Sequence, residues 1–189
     1  GGDALAFPIV EDLATVTWLV QLAAIELHVH QWRVDAEGNR LNPDRLVIDL
    51  DPGEPASLTE CAQVALLVRE ALADLGLSCT PVTSGSKGLH LYAVLPGDLD
   101  SNGVTELAKQ VAESLQAEHP SLVTATMTKS RRRGKVFLDW SQNSASKTTI
   151  SPYSLRGRDL PTVATPISWD EVAAGAEDEL ALDQFRFEE

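Results

Sequence analysis

The chain has 189 residues, and its 43% hydrophobic content is enough for one domain with a proper core. A formal net charge of −13 argues against a protein that coats nucleic acid with its whole surface. No apolar run is long enough to span a membrane, the first residues lack the basic start of a signal peptide, and the two cysteines match no metal motif, so we expect a cytoplasmic protein.

The basic residues are concentrated in one segment. Lys129 to Arg158 contains eight basic residues and one acidic residue, whereas the rest of the chain is strongly acidic. A basic segment within an acidic protein predicts a local site for nucleotide phosphates or a short piece of nucleic-acid backbone. For the arginine run at 131–133, a solvated loop is the alternative.

Hydrophobic spacing predicts the elements in chain order. A helix over 11–26 has a broad apolar face with Trp18 packed within it, and a strand-like segment over 25–34 leads into a turn at 36–39. The next six elements are a strand over 45–51, a helix from a Ser57–Glu60 capping box to Gly76, strands over 79–83 and 89–95, a helix over 103–119 and a strand over 135–140. A short helix capped by Ser168 and an acidic tail follow.

This order predicts an α+β fold with a ferredoxin-like or RRM-like βαββαβ core. Strands one and three are expected at its centre, with strand four beside strand one and both helices on one face. We expect one domain in which residues 1–44 form an N-terminal helix and hairpin and 45–140 form the core. Residues 141–189 form an extension with a phosphate-binding segment, a short helix and the acidic tail.

Two aspartates, Asp49 and Asp51, end the first core strand. Side chains two residues apart on a strand share a face, and the same alternation adds His90 and Asp139 from the neighbouring strands. Three carboxylates on one face repel each other unless a cation lies between them, so the pattern predicts a two-metal site for Mg²⁺ or Mn²⁺. A polar turn after a strand is the alternative for Asp49 and Asp51, and a structural histidine is the alternative for His90.

A glycine-rich loop over 84–88 joins the second and third core strands. Its backbone N–H groups and the ammonium of Lys87 suit the phosphates of a nucleotide. The alternative for Lys87 is a solvated loop lysine.

Three ordered motifs resemble those of a known family. They are Asp49-Leu50-Asp51-Pro52-Gly53, Ser84-Gly85-Ser86-Lys87-Gly88-Leu89-His90, and Val136-Phe137-Leu138-Asp139-Trp140. The chain resembles, from about residue 11 to about residue 172, the primase-polymerase domain of bacterial ligase D, in the archaeo-eukaryotic primase superfamily. Glu26-Leu27-His28 and the segment from Lys147 to Arg156 are also similar to that family.

The resemblance implies a metal-dependent, template-directed nucleotidyltransferase that favours ribonucleotides and repairs double-strand breaks by non-homologous end joining. Asp49, Asp51 and Asp139 would hold two Mn²⁺ or Mg²⁺ ions. The residues that would bind the nucleoside triphosphate are His28, Ser84, Lys87, His90, Gln142 and Arg156. Nucleic acid or phosphate would be contacted by Lys147, Arg158 and Arg132, the last of which is expected on a mobile loop. For His28, simple packing near Trp32 is the alternative.

The implied partners are primer-template or broken-end DNA, a DNA ligase domain and a Ku-like end-binding protein, near the bacterial nucleoid. The family's domain begins upstream of the position that matches Gly1, so we expect the chain to lack the part that recognises the 5′-phosphate of a broken end. A catalytically silent fragment that binds DNA or a partner is one alternative. A two-metal nuclease or phosphatase is another, although it leaves the glycine-lysine loop unexplained.

Overall fold

The computed structural model describes residues 7–188, which form a five-stranded sheet with helices packed on one face and three two-stranded sheets. The helices are α1 (Leu13–Gln21), α2 (Leu58–Asp74), α3 (Ser101–Glu118) and α4 (Trp169–Glu177). The strands are β1 (His28–Val29), β2 (Trp32–Val34), β3 (Arg40–Pro43), β4 (Arg45–Pro52), β5 (Cys79–Thr83), β6 (Leu89–Val94), β7 (Val123–Thr124), β8 (Val136–Asp139), β9 (Thr149–Ile150), β10 (Leu155–Arg156) and β11 (Thr162–Val163).

The central sheet has the strand order β5-β6-β4-β8-β7. Strands β5, β6, β4 and β8 are the four predicted core strands, and their order is the one expected for the ferredoxin-like unit. All pairs among them are antiparallel, and β7 joins the edge in parallel to β8. The alternation prediction did not include β7, because its two residues are too few to establish a period.

The hydrophobic core lies between this sheet and the helices. Leu46, Ile48 and Leu50 of β4 are fully buried there, as predicted from their alternation with the aspartates. Residues of α2 and α3 cover them, and α4 from the C-terminal extension packs on α2. The opposite face of the sheet is therefore left for Asp49 and the other polar side chains.

Capping residues set the ends of the helices. The predicted capping box of Ser57 and Glu60 opens α2, and Ser168 with Glu171 opens α4 in the same way. Helix α3 starts two residues earlier than predicted, because the Asp100 side chain accepts a hydrogen bond from the N–H of Gly103. No helix within residues 7–188 combines the length and the apolar content that crossing a membrane requires.

The N-terminal helix differs most from its prediction. It is shorter than the predicted 11–26 segment, and among its residues only Leu19 is buried. The predicted packing of Trp18 is wrong, since its side chain is 52% exposed, and Leu13 and Val20 are exposed as well. Helical spacing identifies an apolar face but does not specify what covers it, and in the described part of the chain this face meets solvent.

Candidate active site

The three predicted carboxylates share one face of the central sheet. Asp49 of β4 lies directly opposite His90 of β6 on one side and opposite Asp139 of β8 on the other. Asp51 follows two residues later and faces Phe137. Since opposite residues in an antiparallel pair point to the same face, Asp49, Asp51, His90 and Asp139 converge at the end of β4.

Polar side chains link these carboxylates. The Gln142 amide donates to Asp139 Oδ2 at 3.1 Å and lies 3.4 Å from Asp49 Oδ2, so one nitrogen bridges two of the three aspartates. His90 Nε2 lies 3.3 Å from Asp49 Oδ1. The Lys147 ammonium donates a hydrogen bond to the Ser141 hydroxyl, and that hydroxyl donates to Asp139. The Lys147 ammonium also lies 3.9 Å from Asp139 Oδ2.

The electrostatics of the cluster are seen most clearly at Asp51. Loss of solvation, and then the like charges of Asp49 and Asp139, raise the pKa of Asp51 to about 6. A divalent cation between the carboxylates would reverse the part of this shift that the like charges of Asp49 and Asp139 cause. The site is thus short of positive charge.

The residues present fit a hard divalent cation by their chemistry. No three His, Cys, Asp or Glu side chains among residues 7–188 already enclose a metal position. The carboxylate oxygens instead contact Gln142, Ser141, Lys147 and His90. Carboxylate oxygens are the ligands that Mg²⁺ and Mn²⁺ prefer, and such an ion would offset the repulsion among the three carboxylates, which after loss of solvation is what raises the pKa of Asp51.

Asp51→Asn is expected to stabilise the metal-free protein at about pH 8 and to have no effect near pH 4. The raised pKa means that the ionised carboxylate costs folding free energy, and this cost disappears as the pH falls below about 6. Raising the pKa from 3.8 to about 6 corresponds to about 3 kcal/mol, which solvent screening reduces to about 1 kcal/mol, or roughly 2–4 °C in melting temperature. Thermal melts in chelator across this pH range test it, with the exposed Asp98→Asn as control.

The same melts have a second arm. Mg²⁺ added at about pH 8 is expected to stabilise the unsubstituted protein more than Asp51→Asn, because the ion needs the carboxylate. A stabilisation by Asp51→Asn that grows toward pH 4, or no difference at pH 8, would contradict the crowding described here.

The loop over 84–88 packs against the end of β4. Ser84 Oγ accepts hydrogen bonds from the N–H groups of Ser86 and Gly88, at 3.2 Å each. A Cβ on Gly88 would lie 1.8 Å from the carbonyl oxygen of Leu50, so only glycine allows this approach. The exposed Lys87 makes no polar contact within the described residues, which leaves its ammonium available to a ligand at this loop.

Residues far along the chain hold this loop in place. Thr162 donates to the carbonyl of Gly85, Arg158 donates to Ser86 Oγ, and the Gln184 amide donates to the carbonyl of Gly88 at 3.1 Å. The prediction that Arg158 contacts phosphate stays a prediction, but its guanidinium does lie at this loop. Gln184 was not predicted, because a contact across almost one hundred residues leaves no local pattern.

A second polar cluster forms around Glu26. Its carboxylate lies 3.2 Å from His28 Nε2 and 3.8 Å from Arg156 Nη1, and it accepts the N–H of Gly157 at 2.9 Å. The Gly157 N–H, and then His28, lower the pKa of Glu26, which keeps it ionised. Glu26 therefore joins two predicted nucleotide-binding residues, and the Glu26-Leu27-His28 motif was the sequence signal for it. Arg156 also borders Gly85, so this cluster adjoins the loop.

Arg132 packs beside the carboxylates and does not extend from the protein. Its guanidinium lies 3.5 Å from the ring centre of Phe137, which faces Asp51, and it donates to the carbonyl of Met127 at 2.7 Å. These contacts place Arg132 near Asp51, and its predicted mobility stays a prediction.

The comparisons with known proteins agree with one another. The family model described as "LigD, primase-polymerase domain" matches residues 1–188. A Mycobacterium tuberculosis LigD, named a multifunctional non-homologous end joining DNA repair protein, is 54% identical over 97% of this chain. A Bacillus subtilis LigD, named a bifunctional non-homologous end joining protein, is 34% identical over 86% of this chain. The chain spans 24% and 26% of the lengths of these relatives.

A solved structure gives the same result for the fold. The polymerase domain of Mycobacterium tuberculosis ligase D in complex with DNA matches with a TM-score of 0.89 and 52% identity, over 96% of this chain and 63% of that one. A likeness at this identity extends to the family as well as to the fold. The chain belongs to the LigD primase-polymerase domain family.

Proposed function

We propose that the chain is a metal-dependent, template-directed nucleotidyltransferase that adds nucleotides, with ribonucleotides favoured, to a 3′ end during non-homologous end joining. The observation that carries the proposal is the convergence of three aspartates on one sheet face, at the end of β4 against which the glycine-lysine loop packs. The names of the LigD relatives and their polymerase domain support it.

Asp49, Asp51 and Asp139 would hold two Mn²⁺ or Mg²⁺ ions. Bound there, the ions would activate the attacking 3′-hydroxyl and neutralise the charge of the triphosphate and the pyrophosphate leaving group. Gln142, which already bridges two of the aspartates, would keep their carboxylates aligned and contact the nucleotide.

The triphosphate would lie along the loop and the two histidines. Lys87 supplies an exposed ammonium, and Ser84 holds the loop's backbone through its side-chain hydrogen bonds. His90 is the second residue of β6, the strand that follows the loop. His28 and Arg156 would bind from the Glu26 cluster, which adjoins the loop at Gly85. The negative triphosphate would then meet a local excess of positive charge within an acidic protein.

Nucleic acid would be contacted by the basic segment around the site. Arg132, Lys147 and Arg158 each lie beside the carboxylates or the loop, which supports contacts to template, primer or nucleotide phosphates. The solved relative's complex with DNA supports primer-template or broken-end DNA as a partner. The proposed protein partners are a ligase domain and a Ku-like end-binding protein, and the proposed location is the bacterial nucleoid.

A second candidate is a catalytically silent fragment that binds a partner. The observation that favours it is the exposed apolar face of α1, a surface suited to a protein contact.

Incubation of a labelled, recessed primer-template with Mn²⁺ and one ribonucleotide separates the candidates. A longer primer supports the nucleotidyltransferase, and a shorter one supports the nuclease alternative. An unchanged primer, with nucleoside triphosphate still bound in calorimetry, supports the silent fragment and would overturn the proposal.

A further inference from the structure

The two histidines proposed to bind the nucleotide come from different sheets. His90 belongs to β6 of the central sheet, whereas His28 belongs to β1, which within residues 7–188 pairs with β9 alone. Their relative position therefore depends on whatever fixes the β1–β9 pair to the central sheet. Ile150 of β9 packs against Val82 of β5, and the side chain that adds a polar connection to His90 is Tyr92, two residues after His90 and on the same face of β6.

The Tyr92 hydroxyl contacts both sheets. It lies 3.2 Å from His90 Nδ1, 3.2 Å from the carbonyl oxygen of Ile150 and 3.1 Å from Thr149 Oγ1. The carbonyl oxygen of Ile150 only accepts, whereas the Tyr92 hydroxyl, the Thr149 hydroxyl and the His90 ring can each donate or accept, so the Tyr92 hydroxyl has a hydrogen-bond partner in both sheets. Burial raises the pKa of Tyr92 to about 12, so the hydroxyl keeps its proton for this network.

The network continues to the strand that carries His28. Ile150 lies directly opposite His28 in the β1–β9 pair, so Tyr92 bonds to the residue that pairs with His28. Thr149 Oγ1 also accepts from the buried Gln31 amide at 2.9 Å, just after β1. A single hydroxyl thus joins the His90 ring to the strand pair that carries His28.

The contact with His90 also sets the direction of its ring. With Nδ1 held by Tyr92, Nε2 faces the carboxylates, 3.3 Å from Asp49 Oδ1. Without the hydroxyl, the ring loses its only contact on the Nδ1 side within the described residues.

We propose that Tyr92 is a positioning residue for the nucleotide, which aligns the His90 ring and fixes the His28 strand pair to the catalytic sheet. This inference rests on the proposed function. Tyr92 itself touches no reacting atom, so its loss should weaken nucleotide binding more than the chemical step.

The test is Tyr92→Phe, which removes one oxygen and keeps the ring in the cluster of Val82, Ile150 and Ala164. The matched control is Tyr153→Phe, because Tyr153 is 76% exposed and its hydroxyl makes no contact within the described residues. In primer extension with Mn²⁺, we expect Tyr92→Phe to raise the KM for ribonucleotide about tenfold with kcat within about twofold, and Tyr153→Phe to change neither.

A double-mutant cycle separates positioning from a general structural effect. In a His90→Ala background, Tyr92→Phe should raise the KM by about threefold or less, because part of its action passes through His90. An unchanged KM in Tyr92→Phe, or an equal effect with and without His90, would overturn the inference while leaving the proposed function standing. If the unsubstituted protein neither extends a primer nor binds nucleotide, the proposed function fails and this inference fails with it.

Discussion

Replacement of Asp49 by alanine is expected to lower the rate of nucleotide addition on the order of a thousandfold or more while the protein stays folded. Asp49 lies opposite both His90 and Asp139, so its carboxylate is the centre of the cluster. Its removal leaves the proposed ions without a shared ligand. It also removes one of three like charges, so the melting temperature should not fall in metal-free buffer.

The measurement is primer extension at matched protein concentration, with thermal melts of each variant. Asp98→Ala is the matched control, since it removes an exposed aspartate outside the cluster. It should extend primers at the unsubstituted rate. Normal extension by both Asp49→Ala and Asp51→Ala would contradict the proposed role of the carboxylates.

Asn143→Ala is expected to destabilise the protein by about 3 kcal/mol, which corresponds to roughly 6–12 °C in melting temperature. The buried Asn143 amide accepts from the N–H of Val47 at 2.9 Å and donates to its carbonyl at 2.7 Å. Strand β8 pairs with β4 only from Asp49 onward, so this side chain replaces the missing strand at Val47. Alanine would leave both main-chain groups buried without a partner.

The control for this prediction is Asn42→Ala. The exposed Asn42 makes one hydrogen bond, from its amide to the carbonyl of Gly97 at 2.9 Å, so its loss should change the melting temperature by only a degree or two. Equal melting temperatures for the two variants would show that Asn143 does not support β4. Since Gln142 adjoins Asn143, reduced primer extension is also expected from Asn143→Ala below its melting transition.

Alternation along the strands is the reason that much of this site was visible in the sequence. Asp49, His90 and Asp139 each alternate with buried apolar residues, and that period of two fixes a face before any contact is known. The order of core elements then limits which strands are neighbours, so the three residues could be brought together. The glycine-rich loop was visible for a similar reason, because its composition is itself a local signal.

The contacts that hold the site could not be predicted in this way. Gln184 reaches Gly88, and Asn143 completes β4 at Val47, through single side chains from distant parts of the chain. Neither contact belongs to a repeating pattern. Trp18 shows the converse case, since a clear helical period predicted burial where the described structure has exposure.

As the proposed nucleotidyltransferase, this chain itself would add the nucleotide that the template base specifies. The most direct measurement is extension of a recessed primer with Mn²⁺, each ribonucleotide being supplied alone against each of the four template bases. We expect the primer to lengthen only with the complementary ribonucleotide and not in chelator. No lengthening, or lengthening that ignores the template base, would contradict it.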